Sequence, residues 1–285
     1  MILVSGATGN VGSELVGQLL AAGVPVRALV RSADAELPAG AQAAVGDLNE
    51  PASLSSALEG VEGMFLLSGY RDMPAVLERS RAAGVERAVL LSGGSAVASD
   101  LDNALSRYML ASEEAVRRSG LAWTILRPYA FMSNALRWLP QVRAGDVIKL
   151  PFAPVANAVI DPYDIARVAA TALLKDGHHG QTYRLSGPES LLPADQVRVL
   201  GAVLGRDLRF EAQSDEEARA EMSVSMPAEY VAAFFSFYVD GTLDESEVLP
   251  TVETVTGERP RVFEQWARHH RDAFPSAGAT AATMA

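Results

Sequence analysis

Short apolar runs alternate along the chain with longer stretches whose apolar residues recur every three or four positions. Ile2-Leu3-Val4 is an apolar run with two β-branched residues, of the kind that fills a buried parallel strand, and residues 14–20 carry their apolar side chains at helical spacing. The same reading predicts strands at 26–30, 43–46, 63–67, 87–91 and 122–126, with helices at 51–58, 72–83 and 105–119 between them. Beyond residue 128 it predicts a helix at 161–174 with Pro162 in its first turn, a strand at 181–185, a helix at 194–204 and a strand at 207–212. An acid-rich solvated helix at 214–222 and a closing helix at 260–274 follow. Strands that alternate with helices build a parallel sheet, so the expected class is α/β with a doubly wound sheet.

The first strand runs into Gly6-Ala7-Thr8-Gly9-Asn10-Val11-Gly12, and this loop opens the first helix. Strand, glycine loop and helix in that order are the context in which such a loop holds a dinucleotide. Gly6 can make the tight turn, Gly9 lets a pyrophosphate approach the backbone, and Gly12 lets helix and strand pack closely. Thr8, Asn10 and Val11 share the loop, and the free N–H groups at the helix start face the phosphates. The spacing is Gly-x-x-Gly-x-x-Gly where the general fingerprint is Gly-x-Gly-x-x-Gly, so the flanking elements carry the reading; three glycines alone are equally a structural turn.

The second strand ends in Arg31-Ser32, the position that bears on cofactor choice. An acidic residue here binds ribose hydroxyls and suits NAD, whereas an arginine accommodates the 2′-phosphate of NADP. A guanidinium fork matches a phosphate bidentately, with Ser32 as a neighbouring donor. The alternative is a solvated strand-end arginine, and Asp34 lies near. The expected cofactor is therefore NADP(H), with NAD(H) as the second choice. The third strand closes on Asp47-Leu48, where Asp47 either contacts the adenine amino group or caps the helix at 51–58. Leu67-Ser68-Gly69, Ser92-Gly93 and Pro128 end the fourth, fifth and sixth strands. Ligands of open α/β sheets collect outside such ends.

Composition narrows the setting. At 285 residues the chain can bury a sizeable core, and its 49% hydrophobic and 21% charged residues are ordinary for a globular protein. No apolar run approaches the ~20 residues of a membrane span, and the chain enters its first strand without a signal-peptide pattern, so a cytoplasmic location is expected. The absence of cysteine suits a reducing interior and excludes disulfides and thiolate metal sites. A net charge of −11 argues against a nucleic-acid partner. His178-His179 lacks further ligands at metal spacing, so no metal is expected.

The glycine loop, Ser119-Gly120-Leu121-Ala122-Trp123-Thr124-Ile125-Leu126-Arg127-Pro128 with Phe131 and Asn134 after it, Ile160-Asp161-Pro162-Tyr163-Asp164-Ile165-Ala166, and Tyr183-Arg184-Leu185-Ser186-Gly187-Pro188-Glu189 together carry a resemblance. Over nearly its whole length the chain resembles the NmrA-like, atypical branch of the extended short-chain dehydrogenase/reductases. That resemblance implies a Rossmann-type domain and either an NAD(P)H-dependent reductase, quinone reductases among them, or a cofactor-binding regulator without turnover. The wider superfamily reduces carbonyls with a Tyr-x-x-x-Lys pair on the helix after the fifth strand. Here the stretch reads Tyr108-Met109-Leu110-Ala111-Ser112, and no lysine occurs before Asp146. A free phenol titrates at about 10 and needs a nearby cation to donate a proton near neutrality. Ser112 supplies none. Tyr108 is left as a residue that orients or protonates the substrate, or as a packed helix aromatic. Glu113 and Glu114 read as solvated helix charges.

This departure favours an acceptor whose reduced form delocalises its charge, a quinone or conjugated enone. Tyr129, Phe131, Met132, Asn134 and Trp138 crowd in after a strand end and suit a flat apolar substrate, or else form core. Phe235 belongs to the densest aromatic cluster, 234–238, read as core or lid. The expected organisation is a dinucleotide-binding domain at 1–150 with a strand returning from about 155–175, a smaller α+β substrate or lid region at 176–274, and a disordered tail at 275–285. The expected partner is a small aromatic or quinone-like molecule, and a homodimer is compatible with the chain. The alternative function is a non-catalytic NAD(P)(H)-sensing regulator that acts through a protein partner.

Overall fold

The computed structural model describes residues 1–97 and 101–275. These form two compact units. The first comprises Met1–Pro128, Pro162–Leu185 and Thr251–Glu258; the second comprises Tyr129–Asp161, Ser186–Pro250 and the chain from Arg259 onward.

The first unit is built on seven strands: β1 (Ile2–Val4), β2 (Val26–Val30), β3 (Gln42–Val45), β4 (Gly63–Leu67), β5 (Arg87–Leu91), β6 (Ala122–Pro128) and β8 (Gln181–Leu185). Their order is β3-β2-β1-β4-β5-β6-β8 and every pairing is parallel. The chain proceeds outward from β1 in one direction through β2 and in the other through β4. The crevice at that reversal is where such sheets take ligands. Alternation along the strands sets the two faces. Leu3, Met64, Leu66, Ala88, Leu90 and Ile125 share one core cluster with Met73, Val76 and Leu77 of α2 (Met73–Ala82) and Val116 of α3 (Ala104–Arg118). The intervening Val4, Phe65 and Val89 point the opposite way. Helices α1 (Asn10–Ala21) and α5 (Pro162–Leu174) pack on each other, and α5 also meets α9 (Thr251–Thr256).

Helix ends follow their capping residues. Asp72 accepts the Ala75 N–H at 3.0 Å at the start of α2, and Asn103 accepts from Leu105 and Ser106 at the start of α3. The expected helix at 51–58 is instead two short 3₁₀ segments, Pro51–Leu54 and Ser56–Leu58. Its apolar spacing buries Leu54, Ala57 and Leu58 without a regular helix.

The second unit pairs β7 (Val147–Leu150) in parallel with β9 (Arg209–Ala212). Its core joins α6 (Pro193–Leu204) and α10 (Phe263–His269), with Trp266 and Phe263 fully buried and stacked at 5.4 Å. A smaller cluster unites Phe152 with Ala218 of α7 (Asp215–Ser225) and with Val231 and Phe235 of α8 (Ala228–Tyr238). The short helix α4 (Leu139–Ala144) precedes β7.

The observed division differs from the expected one. The first unit leaves off at Pro128 rather than 150, because 129–150 contribute to the core around Trp266. The 162–174 stretch is a helix, and the strand that returns is β8, which the expected boundary assigned to the smaller region. The closing helix is only Phe263–His269 followed by a 3₁₀ turn. Apart from Pro275, the expected tail lies outside the described residues. Among the described residues no helix is long and apolar enough to cross a membrane.

Candidate functional site

The glycine loop shows why each glycine stands where it does. Gly6 takes φ +60°, and its carbonyl accepts the Gly9 N–H at 2.8 Å, closing the turn. A Cβ on Gly12 would lie 2.1 Å from the Gly6 carbonyl oxygen, closer than any real contact, so only glycine lets α1 start against β1. Gly9 is the exposed N-cap of α1 and no side chain caps it, so the first-turn N–H groups are not taken by a capping oxygen. This is a cradle of the kind that fits a pyrophosphate. Thr8 and Asn10 are exposed on it, while Val11 and Gly12 are buried and act in packing.

Beside the loop lies a cleft of about 490 Å³ lined by Gly6, Thr8, Arg31, Ser32, Asp47, Leu48 and Leu67. The sequence reading missed Tyr70 and Asn49, which also line it. Their signal was weak, since a lone tyrosine after a strand carries no motif. Burial raises the Tyr70 phenol above its ordinary value, and the Asp47 charge adds to the rise against the opposing Arg31. Arg31 is exposed at the cleft. Asp34 is not among the lining residues, and its N–H donates to Ser32 Oγ at 3.3 Å. Asp47 accepts the Asn49 N–H at 2.8 Å in a local turn, and Glu50 occupies the N-cap position before Pro51, so the helix-cap reading of Asp47 does not hold.

Other strand-end residues are engaged elsewhere. Ser68 donates its hydroxyl to the Leu91 carbonyl at 2.9 Å. The Gly69 N–H donates to Ser112 Oγ at 3.0 Å, and Ser112 in turn donates to the Tyr108 carbonyl at 2.9 Å. The position where a lysine would stand is thus a buried clasp between α3 and the loop after β4. Tyr108 is half-buried and lines a groove of about 840 Å³ between α2 and α3, where its ring would be 3.3 Å from a Cβ on Gly69. It is not among the residues of the glycine-loop cleft. Gly93 backs onto the Met109 side chain, which a Cβ would meet at 2.7 Å. Pro128 is buried at the end of β6.

Ser92 belongs to an unexpected network. Its hydroxyl donates to Glu113 Oε1 at 2.7 Å, and the same carboxylate accepts from Arg127 at 2.8 and 2.7 Å and from Arg117 at 2.7 Å. The Glu113 side chain is 0% exposed. Burial alone would raise this carboxyl, but the hydrogen bonds from Arg127, Ser92 and Arg117 outweigh it and hold it below the usual carboxylate range. The solvated reading of Glu113 is therefore corrected: it lies on the inward stripe of α3 beside Ser112 and Val116. Glu114 does face solvent, paired with Arg118 at 2.5 Å.

The second unit has its own cavity of about 190 Å³. Of the expected substrate residues, Phe131, Asn134 and Trp138 line it. Tyr129 and Met132 are 2% and 1% exposed and do not; Met132 belongs to the core around Trp266. Phe235 is 2% exposed, with the Arg219 guanidinium 3.7 Å over its ring and the Phe152 ring edge-on at 5.4 Å, so it is a core residue. Tyr238, from the cluster read as core or lid, lines the cavity, as do Phe152, Asn157 and Gln196, which had not been foreseen. Tyr238 directs its hydroxyl at Glu245, a long 3.5 Å contact, and Glu245 accepts the Ala130 N–H at 3.2 Å. Burial, then the Glu245 charge, pushes the Tyr238 phenol up, so it stays protonated. Among the described residues no group of three or more histidines and carboxylates could hold a metal.

A glycine cradle at the order reversal of a parallel sheet, with an arginine at the neighbouring strand end, defines a dinucleotide-binding α/β protein. Residues 6–176 match the family described as NAD(P)H-binding, and the chain belongs to that family. The resemblance to the NmrA-like, atypical short-chain dehydrogenase/reductases holds. The chain is 38% identical over 280 residues to a (4-alkanoyl-5-oxo-2,5-dihydrofuran-3-yl)methyl phosphate reductase of Streptomyces griseus, covering 96% of this chain and 99% of the relative. It is 37% identical to an NAD(P)H azoreductase of Xenophilus azovorans, covering 97% and 100%. A crystal structure of an NADPH-dependent quinone oxidoreductase from Escherichia coli superposes with a TM-score of 0.76 at 25% identity, covering 94% of this chain and 99% of the other.

Proposed function

We propose that this NAD(P)H-binding protein is a reductase that passes hydride from NADPH, or less readily NADH, to a quinone, conjugated enone or similar conjugated small molecule. The observation that carries the reading is the Gly6–Gly9–Gly12 cradle beside a cleft that Arg31 and Ser32 line. The cradle would hold the pyrophosphate on backbone N–H groups, and Arg31 would meet the 2′-phosphate as a bidentate donor. When bound, the nicotinamide supplies the hydride, and the protein supplies binding, orientation and exclusion of water.

Ser112 bears on the acceptor. With its hydroxyl spent on the Tyr108 carbonyl and the Gly69 N–H, the position one helical turn after Tyr108 offers no cation to activate its phenol. An acceptor that delocalises its new charge needs least help from an acid. The relatives' names describe such acceptors: a quinone, an azo compound, and a dihydrofuranone whose ring double bond is conjugated with carbonyls. The lack of cysteine suits work in the reducing cytoplasm.

The deciding experiment is anaerobic oxidation of NADPH, followed by loss of reduced-cofactor absorbance, against quinones, enones and simple ketones. Turnover with the first two and not with ketones is expected. Tight cofactor binding with no turnover on any of them would instead favour a cofactor-sensing regulator, the second reading that the occupied Ser112 supports.

A further inference from the structure

Three features of the second unit converge on one cavity that the glycine-loop cleft does not use. Phe152 sits in its wall at φ +56°, the only non-glycine residue with positive φ among the described residues, a conformation that an aromatic side chain rarely adopts. Its ring is wedged against Phe235 and, at 5.1 Å, against Tyr238. Such strain persists only where the surroundings over-determine it, and it collects at functional sites. Asn157 also lines the wall. Its backbone exchanges two 3.0 Å hydrogen bonds with Leu191, yet its side-chain Oδ1 is buried with no hydrogen-bond partner among the described residues. Gln196 brings a second buried carboxamide to the wall, and Tyr238 brings a hydroxyl.

We propose that this cavity is a specificity site for a compact, uncharged ring compound bearing a carbonyl, with the ring held among Phe131, Trp138 and Phe152 and the carbonyl edge met by Tyr238. The inference rests on the reductase reading for its relevance to turnover, since it narrows that substrate class to uncharged rings. The chemistry of the lining carries it. Aromatic and aliphatic faces provide the body of the site, and a few convergent hydroxyl and carboxamide groups fix orientation, the pattern of small-molecule sites. No lysine, arginine or histidine is among the residues that line it, so nothing in this wall compensates an anion stripped of water. At about 190 Å³ it is smaller than the roughly 300–1,000 Å³ of drug-sized pockets, which sets the ligand at one or two fused rings. Tyr238 reaches Glu245 only at 3.5 Å, so a carbonyl seated closer in the cavity would compete with that carboxylate for the hydroxyl proton.

The test is equilibrium dialysis of the full chain against three probes of one ring system: 1,4-naphthoquinone, naphthalene and 1-naphthyl phosphate. The quinone is expected to bind about five- to tenfold more tightly than naphthalene, the worth of one hydrogen bond, and the phosphate at least about tenfold more weakly than the quinone. Tyr238→Phe should erase the advantage of the quinone over naphthalene while leaving naphthalene unchanged. A merely structural role would weaken both probes together, and that result would overturn the proposal, as would equal binding of the phosphate. Trp138→Phe checks the location: quinone-induced quenching of tryptophan fluorescence should largely disappear in this variant, and undiminished saturable quenching would place the ligand elsewhere. Because the readout is binding, its failure is distinct from a failure of the NADPH-oxidation assay.

Discussion

At the scale of single residues, the glycine loop was legible and its chemistry is local. Gly12 is dictated by a carbonyl that a Cβ would meet at 2.1 Å. Gly12→Ala must therefore displace α1 or the Gly6 turn. It is expected to cost about 1–3 kcal/mol, read from urea unfolding, and to weaken NADPH binding in the same preparation. The place of Arg31 in the cleft lining was legible for a different reason, since the end of the second strand borders the glycine loop in this fold; its contact with a 2′-phosphate belongs to the proposal. Arg31→Ala should weaken NADPH binding by about tenfold to a hundredfold in a fluorescence titration and change NADH binding little. Equal losses for the two cofactors would remove the case for a 2′-phosphate contact. Glu113 was not legible. Two adjacent glutamates on an amphipathic helix look alike in sequence, and only the approach of Arg127 and Ser92 from neighbouring strands distinguishes the buried one.

At the scale of elements, that carboxylate ties the ends of β5 and β6 to α3. Breaking a buried charge network by removing one partner typically costs about 3–5 kcal/mol. Glu113→Ala is expected in that range, and Glu113→Gln somewhat below it. The pH dependence follows from the depressed carboxyl. A group held below its ordinary value of 4.5 stabilises the fold fully above that value and loses the contribution as pH falls through the folded-state value. The stability gap between wild type and Glu113→Gln should therefore be constant near neutrality and shrink below about pH 4.5. Urea unfolding at a series of pH values measures it, and a gap that does not narrow in acid would show that the charge is not what stabilises. Strands and helices with clear periodicity were legible. The 51–58 stretch was not, because three buried apolar residues can be satisfied by two 3₁₀ turns as well as by one helix.

At the scale of the molecule, cofactor binding should appear as linkage. NADPH at about a hundred times its dissociation constant stabilises the bound form by about 2.7 kcal/mol. For a chain of this size that raises the midpoint of thermal unfolding by roughly 5–10 °C in a scan with and without cofactor. In Arg31→Ala at the same NADPH concentration the shift should fall to between about half and about a sixth of its wild-type size. The amino-acid sequence by itself determined what depends on neighbours along the chain: the strand–glycine loop–helix order, the arginine after β2, the serine where a lysine would stand, and the absence of thiols. Tertiary structure decided what depends on residues distant in sequence. It turned Ser112 into a clasp, buried Glu113 among arginines, sent Met132 and Phe235 into cores and brought Phe152, Asn157 and Tyr238 to one cavity wall. The physical reason is that periodicity reports which face of an element is buried, while the partner across that face is set by packing between segments many residues apart.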